Sequence, residues 1–264
     1  MPKQRLDTLL AERGLYETRS RAAAAVIAGD VRLGADGRRA EKPGQMVGEE
    51  VRISVAEAPP YVSRGGIKLA NALDAFGIDP EGRHCLDVGA STGGFSDCLL
   101  QRGAAAVAAV DVAYGELHWT LRQDPRVTVL ERRNARSLEP AELPFAAELV
   151  VVDVSFISLS KLLGAVAACA AERFDCLALV KPQFEVGRER VGKGGVVRSA
   201  DDRRDALIAV GRHVIDRLGL SVLGYASSGL PGPAGNRESF VWIAEPGRDG
   251  AVADLDVAAR RAEP

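Results

Sequence analysis

Histidine and cysteine are scarce in this 264-residue chain, and aromatic residues make up only 5% of it. The four cysteines, Cys85, Cys98, Cys169 and Cys176, form no CxxC pair, and His84, His118 and His213 are scattered, so the spacing excludes the usual metal sites and no metal is expected. Cys85 and Cys176 fall in apolar, strand-like runs, which points to buried reduced thiols and a cytoplasmic compartment. Long hydrophobic runs are missing as well. Ala104–Val110 and Leu162–Ala171 fall far short of the ~20 residues that cross a bilayer, and no apolar stretch follows Met1–Arg5 as a secretory signal requires, so no membrane partner is expected. Neither sign of charge dominates: 34 Lys and Arg stand against 36 Asp and Glu, a net of −2 that neither demands nor forbids a nucleic-acid partner. The local balance differs, because residues 1–39 carry eight basic side chains against five acidic ones. Their few aromatics suit a structured RNA, gripped through its backbone, better than a single strand held by stacking.

What the chain does have is a glycine-rich turn. Cys85-Leu86-Asp87-Val88 is an apolar strand running into Gly89-Ala90-Ser91-Thr92-Gly93-Gly94-Phe95, after which a helix begins. Glycines let the backbone approach a ligand, the helix start offers amide donors, and Asp87 can accept from an ammonium or hydroxyl group. A dinucleotide turn, GxGxxG, needs its second glycine where Ser91 stands, and no GxxxxGK[ST] occurs, so neither NAD nor a nucleoside triphosphate fits. The next strand ends in Asp111, placed to accept from a ribose diol, and Asn134 after the third strand falls near where an adenine would lie. An adenosyl cofactor without phosphates, S-adenosylmethionine, answers this turn and its two acids best.

Around the turn the pattern alternates. Strands are expected near 84–89, 105–111, 127–131, 148–154 and 176–181, with helices near 94–102, 116–123 and 160–173 between them. A long helix from Asp201 to Leu218 precedes strands at 220–227 and 239–244, which lie too close together for a crossover helix and so form an antiparallel pair. The expected fold is α/β: a Rossmann-like, doubly wound seven-stranded sheet with its last strand antiparallel. The tail after Pro246 is expected to be partly unstructured, with a short helix from Asp254 to Ala262. Residues 1–59 read as a separate small α+β module. Leu6, Leu9 and Leu10 mark one helix ending near Gly14, Thr18 or Ser20 caps a second that stops at Gly29, and strands follow at Val31–Leu33 and Val51–Val55. A linker at 60–64, within a stiff stretch that starts at Ala58, leads to the main domain, 65–264, which opens with a helix over Ile67–Phe76.

In an open parallel sheet the working side chains sit beyond the carboxyl ends of the strands. Asp153 and Lys181 end the fourth and fifth strands, Lys68 lies on the helix before the first strand, and Glu238 opens the last. Together with Ser63-Arg64-Gly65-Gly66-Ile67-Lys68-Leu69, Asp153-Val154-Ser155-Phe156-Ile157-Ser158, Val180-Lys181-Pro182-Gln183-Phe184-Glu185 and Pro231-Gly232-Pro233 through Asn236 and Glu238, they make the chain similar to the TlyA family of ribosomal RNA 2′-O-methyltransferases. The first module resembles an S4 RNA-binding domain and the remainder an FtsJ-type methyltransferase domain. The resemblance implies S-adenosylmethionine-dependent methylation of cytidine ribose in 16S or 23S ribosomal RNA, or both, with ribosomal subunits as partners. It implies Lys68, Asp153, Lys181 and Glu238 as the catalytic set, and Asp87, Gly89, Ala90, Ser91, Thr92, Gly93, Gly94, Phe95, Asp111 and Asn134 around the cofactor. Arg5, Arg19, Arg21, Arg38 and Arg64 are the expected RNA contacts.

The chemistry agrees. A ribose hydroxyl must be deprotonated and held in line with a sulfonium methyl, a task of positioning and general-base catalysis. A lysine performs it where a second ammonium and partial burial favour the neutral amine. Lys181 is the expected base, Lys68 the neighbouring charge, and Asp153 and Glu238 their anchors. Enzymes that methylate exocyclic amines instead carry Asn or Asp followed by Pro-Pro-aromatic after the fourth strand, where this chain has Asp153-Val154-Ser155-Phe156. Gly187–Gly195 reads as a mobile basic flap or a plain loop. Two other readings stand beside the enzyme: an RNA-binding assembly factor with a relic cofactor fold, disfavoured by the intact Lys-Asp-Lys-Glu set, and a haemolysin, a name attached to relatives of the family, for which no amphipathic cationic segment speaks.

Overall fold

A computed structural model describes residues 3–55 and 59–263. The chain divides into two compact units, Met1–Pro59 and Pro60–Pro264. In the first, β1 (Lys3–Arg5) leads directly into α1 (Leu6–Glu12), followed by α2 (Arg19–Ala28), β2 (Val31–Leu33), β3 (Arg38–Arg39), β4 (Met46–Gly48) and β5 (Ile53–Val55). Thr18 caps α2 by accepting from Arg21 N–H at 3.2 Å, and Gly29, at φ +91°, ends it in the left-handed conformation that glycine adopts without strain. Leu6, Leu9, Leu10, Val26, Val31 and Leu33 close a small core. Strands β3, β2 and β5 form an antiparallel sheet, while β1 and β4 pair separately. β1, β3 and β4 were not legible in the sequence, because their two or three residues lack the apolar alternation that marks Val31–Leu33. The expected strand Val51–Val55 is shorter, pairing from Ile53 on.

The second unit runs α3 (Arg64–Phe76), β6 (His84–Val88), α4 (Gly94–Gln101), β7 (Ala106–Asp111), α5 (Trp119–Gln123), β8 (Val127–Glu131), β9 (Ala147–Val152), α6 (Leu163–Ala168), β10 (Ala170–Val180), α7 (Pro182–Glu185), α8 (Ala200–Arg212), β11 (Ser221–Ser227), β12 (Ser239–Ala244) and α9 (Leu255–Ala262). The seven strands lie in the order β11-β12-β10-β9-β6-β7-β8, and β12 runs antiparallel to both neighbours, the doubly wound arrangement that the sequence implies. Sequential strands move outward from β6 through β7 to β8, then the chain returns to place β9 on the other side of β6. That reversal is the switch point at which such sheets open a ligand crevice. Along the buried run of β9, Leu149 and Val151 face one core with Leu69, Leu73 and Leu99, while Val150 and Val152 face the other with Leu163, Val166 and Leu207. Both faces are covered, which is why the strand reads as a continuous apolar run.

Several expected elements differ: α3 starts at Arg64 and not at Ile67, and the helix expected over Asp201–Leu218 is α8 to Arg212 followed by a π-helical turn over His213–Arg217. The helix expected at 160–173 is only α6, because Ala170 pairs with Ala147 and starts β10 early, with a register shift before Asp175; sheet pairing overrides the helical preference of an alanine-rich stretch. The helix expected from 116 starts at Trp119, after His118, whose side chain accepts from Thr120 N–H. Residues expected as linker are tied down: Val62 N–H donates to Asp97 at 2.8 Å and Gln101 donates to the Pro60 carbonyl at 2.9 Å, since α4 presents these two side chains to them. Ala58, in the expected stiff stretch, lies outside the described residues. The tail helix is present as α9, capped by Asp254.

Candidate active site

Gly89 leaves β6 at φ +85°, and a Cβ there would stand 2.2 Å from the Asp153 carbonyl oxygen. Only glycine lets the turn after β6 touch the end of β9 this closely. Asp153 N–H donates back to the Val88 carbonyl at 2.9 Å, fixing the approach. Ser91, itself at φ +47°, donates its N–H to Asp111 at 2.7 Å, and Gly93 caps α4 at φ +93°. At the start of α4, a Cβ on Gly94 would meet Ser63 Oγ and the Gly66 nitrogen, so the first turns of α3 and α4 meet glycine on glycine.

Two cavities open where these elements converge. One, of about 440 Å³, is lined by Ser63, Arg64, Lys68, Asp153, Lys181 and Glu238 together with Gly89, Ala90, Ser91, Thr92, Gly94 and Phe95 of the turn. The other, of about 550 Å³, is bounded by Asp111, Val112, Asn134, Val154 and Ile157. They share Gly89, Ser91, Asp153 and Ser155 as a common wall. The structure therefore brings all four expected catalytic residues to one cavity, although Lys68 and Glu238 are 170 positions apart.

They form two pairs. Lys68 Nζ lies 2.5 Å from Glu238 Oε2, and both side chains are buried. Lys181 Nζ lies 2.5 Å from Asp153 Oδ1 but off the line of a hydrogen bond, and it donates instead to Ser155 Oγ at 3.0 Å. Gly232 is what lets the β11–β12 loop close over Glu238, since a Cβ there would fall 2.3 Å from the carboxylate. Lys181 sits one residue past β10, ahead of Pro182, which forces the extended conformation that turns the lysine out of the sheet.

Asp87 and Gly93 do not reach either cavity. Gly93 packs under Leu117 and Leu121. Asp87 is fully buried, so the expectation that it accepts from a ligand is corrected: one oxygen takes the Ser96 N–H at 2.9 Å and hydroxyl at 2.6 Å, and the other has no partner. Burial pushes its pKa up to about 7 against the opposing pull of Ser96. Its work is to hold the first turn of α4 against β6. Asp111 spends its carboxylate on the Ser91 and Ala113 N–H groups while still facing the larger cavity. Asn134 caps a short 3₁₀ turn at the same rim.

The expected RNA contacts separate. Arg64 lines the smaller cavity and donates to the Pro231 carbonyl at 3.1 Å. In the small unit Arg5 and Arg19 converge on buried Asp7, at 2.7 and 3.2 Å, which holds that carboxyl well below the usual range. Arg21 pairs with Glu17, and Arg38 is exposed on β3. The Gly187–Gly195 segment is not free: buried Asn236 donates to the Gly195 carbonyl and accepts from Val197 N–H, and Arg190 meets Asp205 at 2.9 Å. Sequence reasoning singled out neither Ser155, in the common wall, nor Phe156, 92% exposed at φ +65° beside it. A bulky residue held in that conformation is costly, and its position was hidden because φ is not written in the sequence. Among the described residues no group of His, Cys, Asp or Glu could hold a metal, and no helix is long and apolar enough to cross a membrane.

Residues 61–245 match the FtsJ-like methyltransferase family and residues 4–53 the S4 domain. The chain is 49% identical over 243 residues, 91% of its length and 90% of the relative's, to the 16S/23S rRNA (cytidine-2′-O)-methyltransferase TlyA of Mycobacterium tuberculosis. It is 37% identical to Hemolysin A of Brachyspira hyodysenteriae, covering 89% of this chain and 97% of that one. A solved structure of a hemolysin-named protein from Streptococcus thermophilus superposes with a TM-score of 0.73 at 38% identity, covering 99% of this chain and 96% of the other.

Proposed function

Since this chain belongs to the TlyA family of FtsJ-like methyltransferases, we propose that it methylates the 2′-hydroxyl of cytidine in ribosomal RNA, using S-adenosylmethionine. The observation that carries this reading is the meeting of Lys68, Asp153, Lys181 and Glu238 on one cavity wall beside the glycine turn.

The residues fit the cofactor. The 550 Å³ cavity offers apolar walls at Val112, Val154 and Ile157 with Asp111 and Asn134 at its rim, a match for adenosine. Gly89, which lets the turn close on the end of β9, borders both cavities, and Arg64, Ser63 and the start of α4 suit a carboxylate in the smaller one. When bound, S-adenosylmethionine supplies a methyl group on a sulfonium, whose carbon–sulfur bond breaks with the electron pair left on sulfur. Lys181 accepts the proton of the 2′-hydroxyl at Nζ. Asp153 anchors that amine and balances the ammonium that results. Lys68, fixed by Glu238, is a buried positive charge that steadies the 2′ oxygen as its proton leaves. Exposed Phe156, at the rim of the larger cavity, offers a face on which a displaced base can stack.

Arg5 and Arg19, pre-oriented by Asp7, and Arg21 and Arg38 then grip phosphates through the S4 unit, and Arg64 does so beside the reacting ribose. The boundaries we assign are 1–59 for the S4 unit and 65–264 for the methyltransferase domain. Ribosomal subunits are the partner, both of them on the analogy of the mycobacterial relative, and the place of work is the cytoplasm. The test is to incubate the purified chain with methyl-labelled S-adenosylmethionine and unmodified 30S and 50S subunits, then analyse nucleosides by mass spectrometry. 2′-O-Methylcytidine supports the reading; label on a base, or none on either subunit, overturns it.

A further inference from the structure

Ser155 lies outside the Lys-Asp-Lys-Glu set, yet it is the residue to which Lys181 gives its hydrogen bond, Nζ to Oγ at 3.0 Å. The contact with Asp153 is close, 2.5 Å, but badly aligned, so the carboxylate attracts the amine without fixing its orientation. A base needs more than a neutral charge, because its lone pair must point at the proton it removes. A lysine amine has three bonds and one lone pair in tetrahedral array. With the Cε bond fixed by the chain and one N–H held by Ser155, two directions remain, and the charge of Asp153 draws the second N–H to its own side, which leaves the other for the lone pair. The free space that Lys181 borders is the 440 Å³ cavity.

We propose that Ser155 is the positioning residue of the methyl transfer, which, with Asp153, turns the Lys181 lone pair into the cavity. The inference rests on the reading of Lys181 as base. In the step itself the 2′ O–H bond breaks and a third N–H bond forms on Lys181, while the 2′ oxygen bonds the methyl carbon and the carbon–sulfur pair stays on sulfur. The new N–H occupies the direction the lone pair held, and the hydrogen bond to Ser155 and the contact with Asp153 need not change.

Ser155 is itself held. Three and four residues later, Ser158 Oγ donates to Glu185 Oε2 at 2.6 Å and Leu159 N–H donates to Oε1 at 2.9 Å. Glu185 ends α7, the short helix that Lys181 caps. The 153–159 loop and the 181–185 turn are therefore tied at both ends, by Lys181–Ser155 and by Glu185–Ser158, so the hydroxyl is set before substrate arrives. Ser155 is exposed and supports no core, which separates a catalytic effect from a folding one.

The experiment compares Ser155→Ala, Ser155→Thr and Lys181→Ala in steady-state methylation of ribosomal subunits, with S-adenosylmethionine affinity read by calorimetry. Ser155→Ala is expected to lower kcat by about 10- to 100-fold while KM for the RNA and the cofactor Kd stay within about 3-fold, because an amine free to rotate is a misplaced base. Ser155→Thr, which keeps the hydroxyl, is expected to restore kcat to within about 3-fold of the parent. Unchanged kcat in Ser155→Ala, a loss confined to KM or Kd, or failure of threonine to rescue overturns the positioning role. If Lys181→Ala turns over normally, the base assignment fails and this inference with it; if Lys181→Ala is inactive and Ser155→Ala is not impaired, Ser155 alone is wrong.

Discussion

The two ends of the main sheet are built from the same residue types to opposite effect. At the amino ends, Arg83 meets Asp175 at 2.9 Å, Trp242 Nε1 donates to the same carboxylate at 2.9 Å, and Arg248 bridges Glu245, at 2.6 Å, to the Phe174 carbonyl. Arg248 holds the Glu245 carboxyl down to about 2. At the carboxyl ends, Asp87 Oδ1, Asp153 Oδ1 and Gln183 Oε1 are buried without hydrogen bonds, three of the five such atoms among the described residues. A buried polar atom without a partner costs about 1–3 kcal/mol; Asp87 bears that cost sealed beneath Ser96, whereas Asp153 bears it at the wall of both cavities. One end of the sheet is closed by ion pairs; the other opens onto the two cavities.

That contrast can be broken in several ways. The largest effect belongs to Lys181→Met, which keeps the side-chain length and removes the amine: methyl transfer should fall by about 10³-fold with cofactor affinity little changed, measured by single-turnover labelling. Retained turnover would place the base elsewhere. Next is Gly89→Ala, which combines a left-handed backbone with a Cβ 2.2 Å from the Asp153 carbonyl; cofactor affinity should drop by about 100-fold in calorimetry. At the opposite end, Asp175→Ala strips Arg83, Trp242 and Arg248 of an acceptor and should cost about 2–3 kcal/mol in denaturant unfolding, with kcat per folded molecule unchanged.

Asp87→Asn sharpens the comparison through pH. Burial raises the Asp87 pKa to about 7 in the folded chain, above the ~3.9 of an unfolded aspartate. Its contribution to stability is therefore full below about pH 4 and declines as pH rises to about 7, where the native carboxyl must ionise in a dry site. Asparagine keeps an acceptor for Ser96 and has no charge, so the stability of the variant relative to the parent should climb across that window, by on the order of 4 kcal/mol, and level off above it. A flat difference from pH 4 to 8 contradicts the assigned shift. The smallest effect is expected of Arg19→Ala, a few-fold loss of RNA affinity with the salt slope reduced by about 1.

How much of this was legible in the sequence differs along the chain. The doubly wound sheet was, because β6, β7 and β9 are apolar on both faces and read as unbroken runs between glycine-marked turns. The early start of β10 was not, since Ala170 joins the sheet through a partner, Ala147, that no local window contains. Asp153 and Lys181 were legible as strand-end residues, but their grouping with Lys68 and Glu238 only by resemblance: nothing in spacing brings Lys68 to Glu238, and the topology does so by placing β12 beside β10. Ser155 and Asp87 show the limits of residue type. A serine after Asp-Val and an aspartate before a glycine turn look alike as polar residues near a site, and only coordinates separate the one that meets Lys181 from the one sealed beneath Ser96.

The most direct measurement is a crystal structure of the chain with S-adenosylhomocysteine. Ligand density is expected to span the two cavities across Gly89, with the sulfur on the side of Lys68, Asp153, Lys181 and Glu238. Density at the amino ends of the strands, or a sulfur turned away from these four residues, contradicts it.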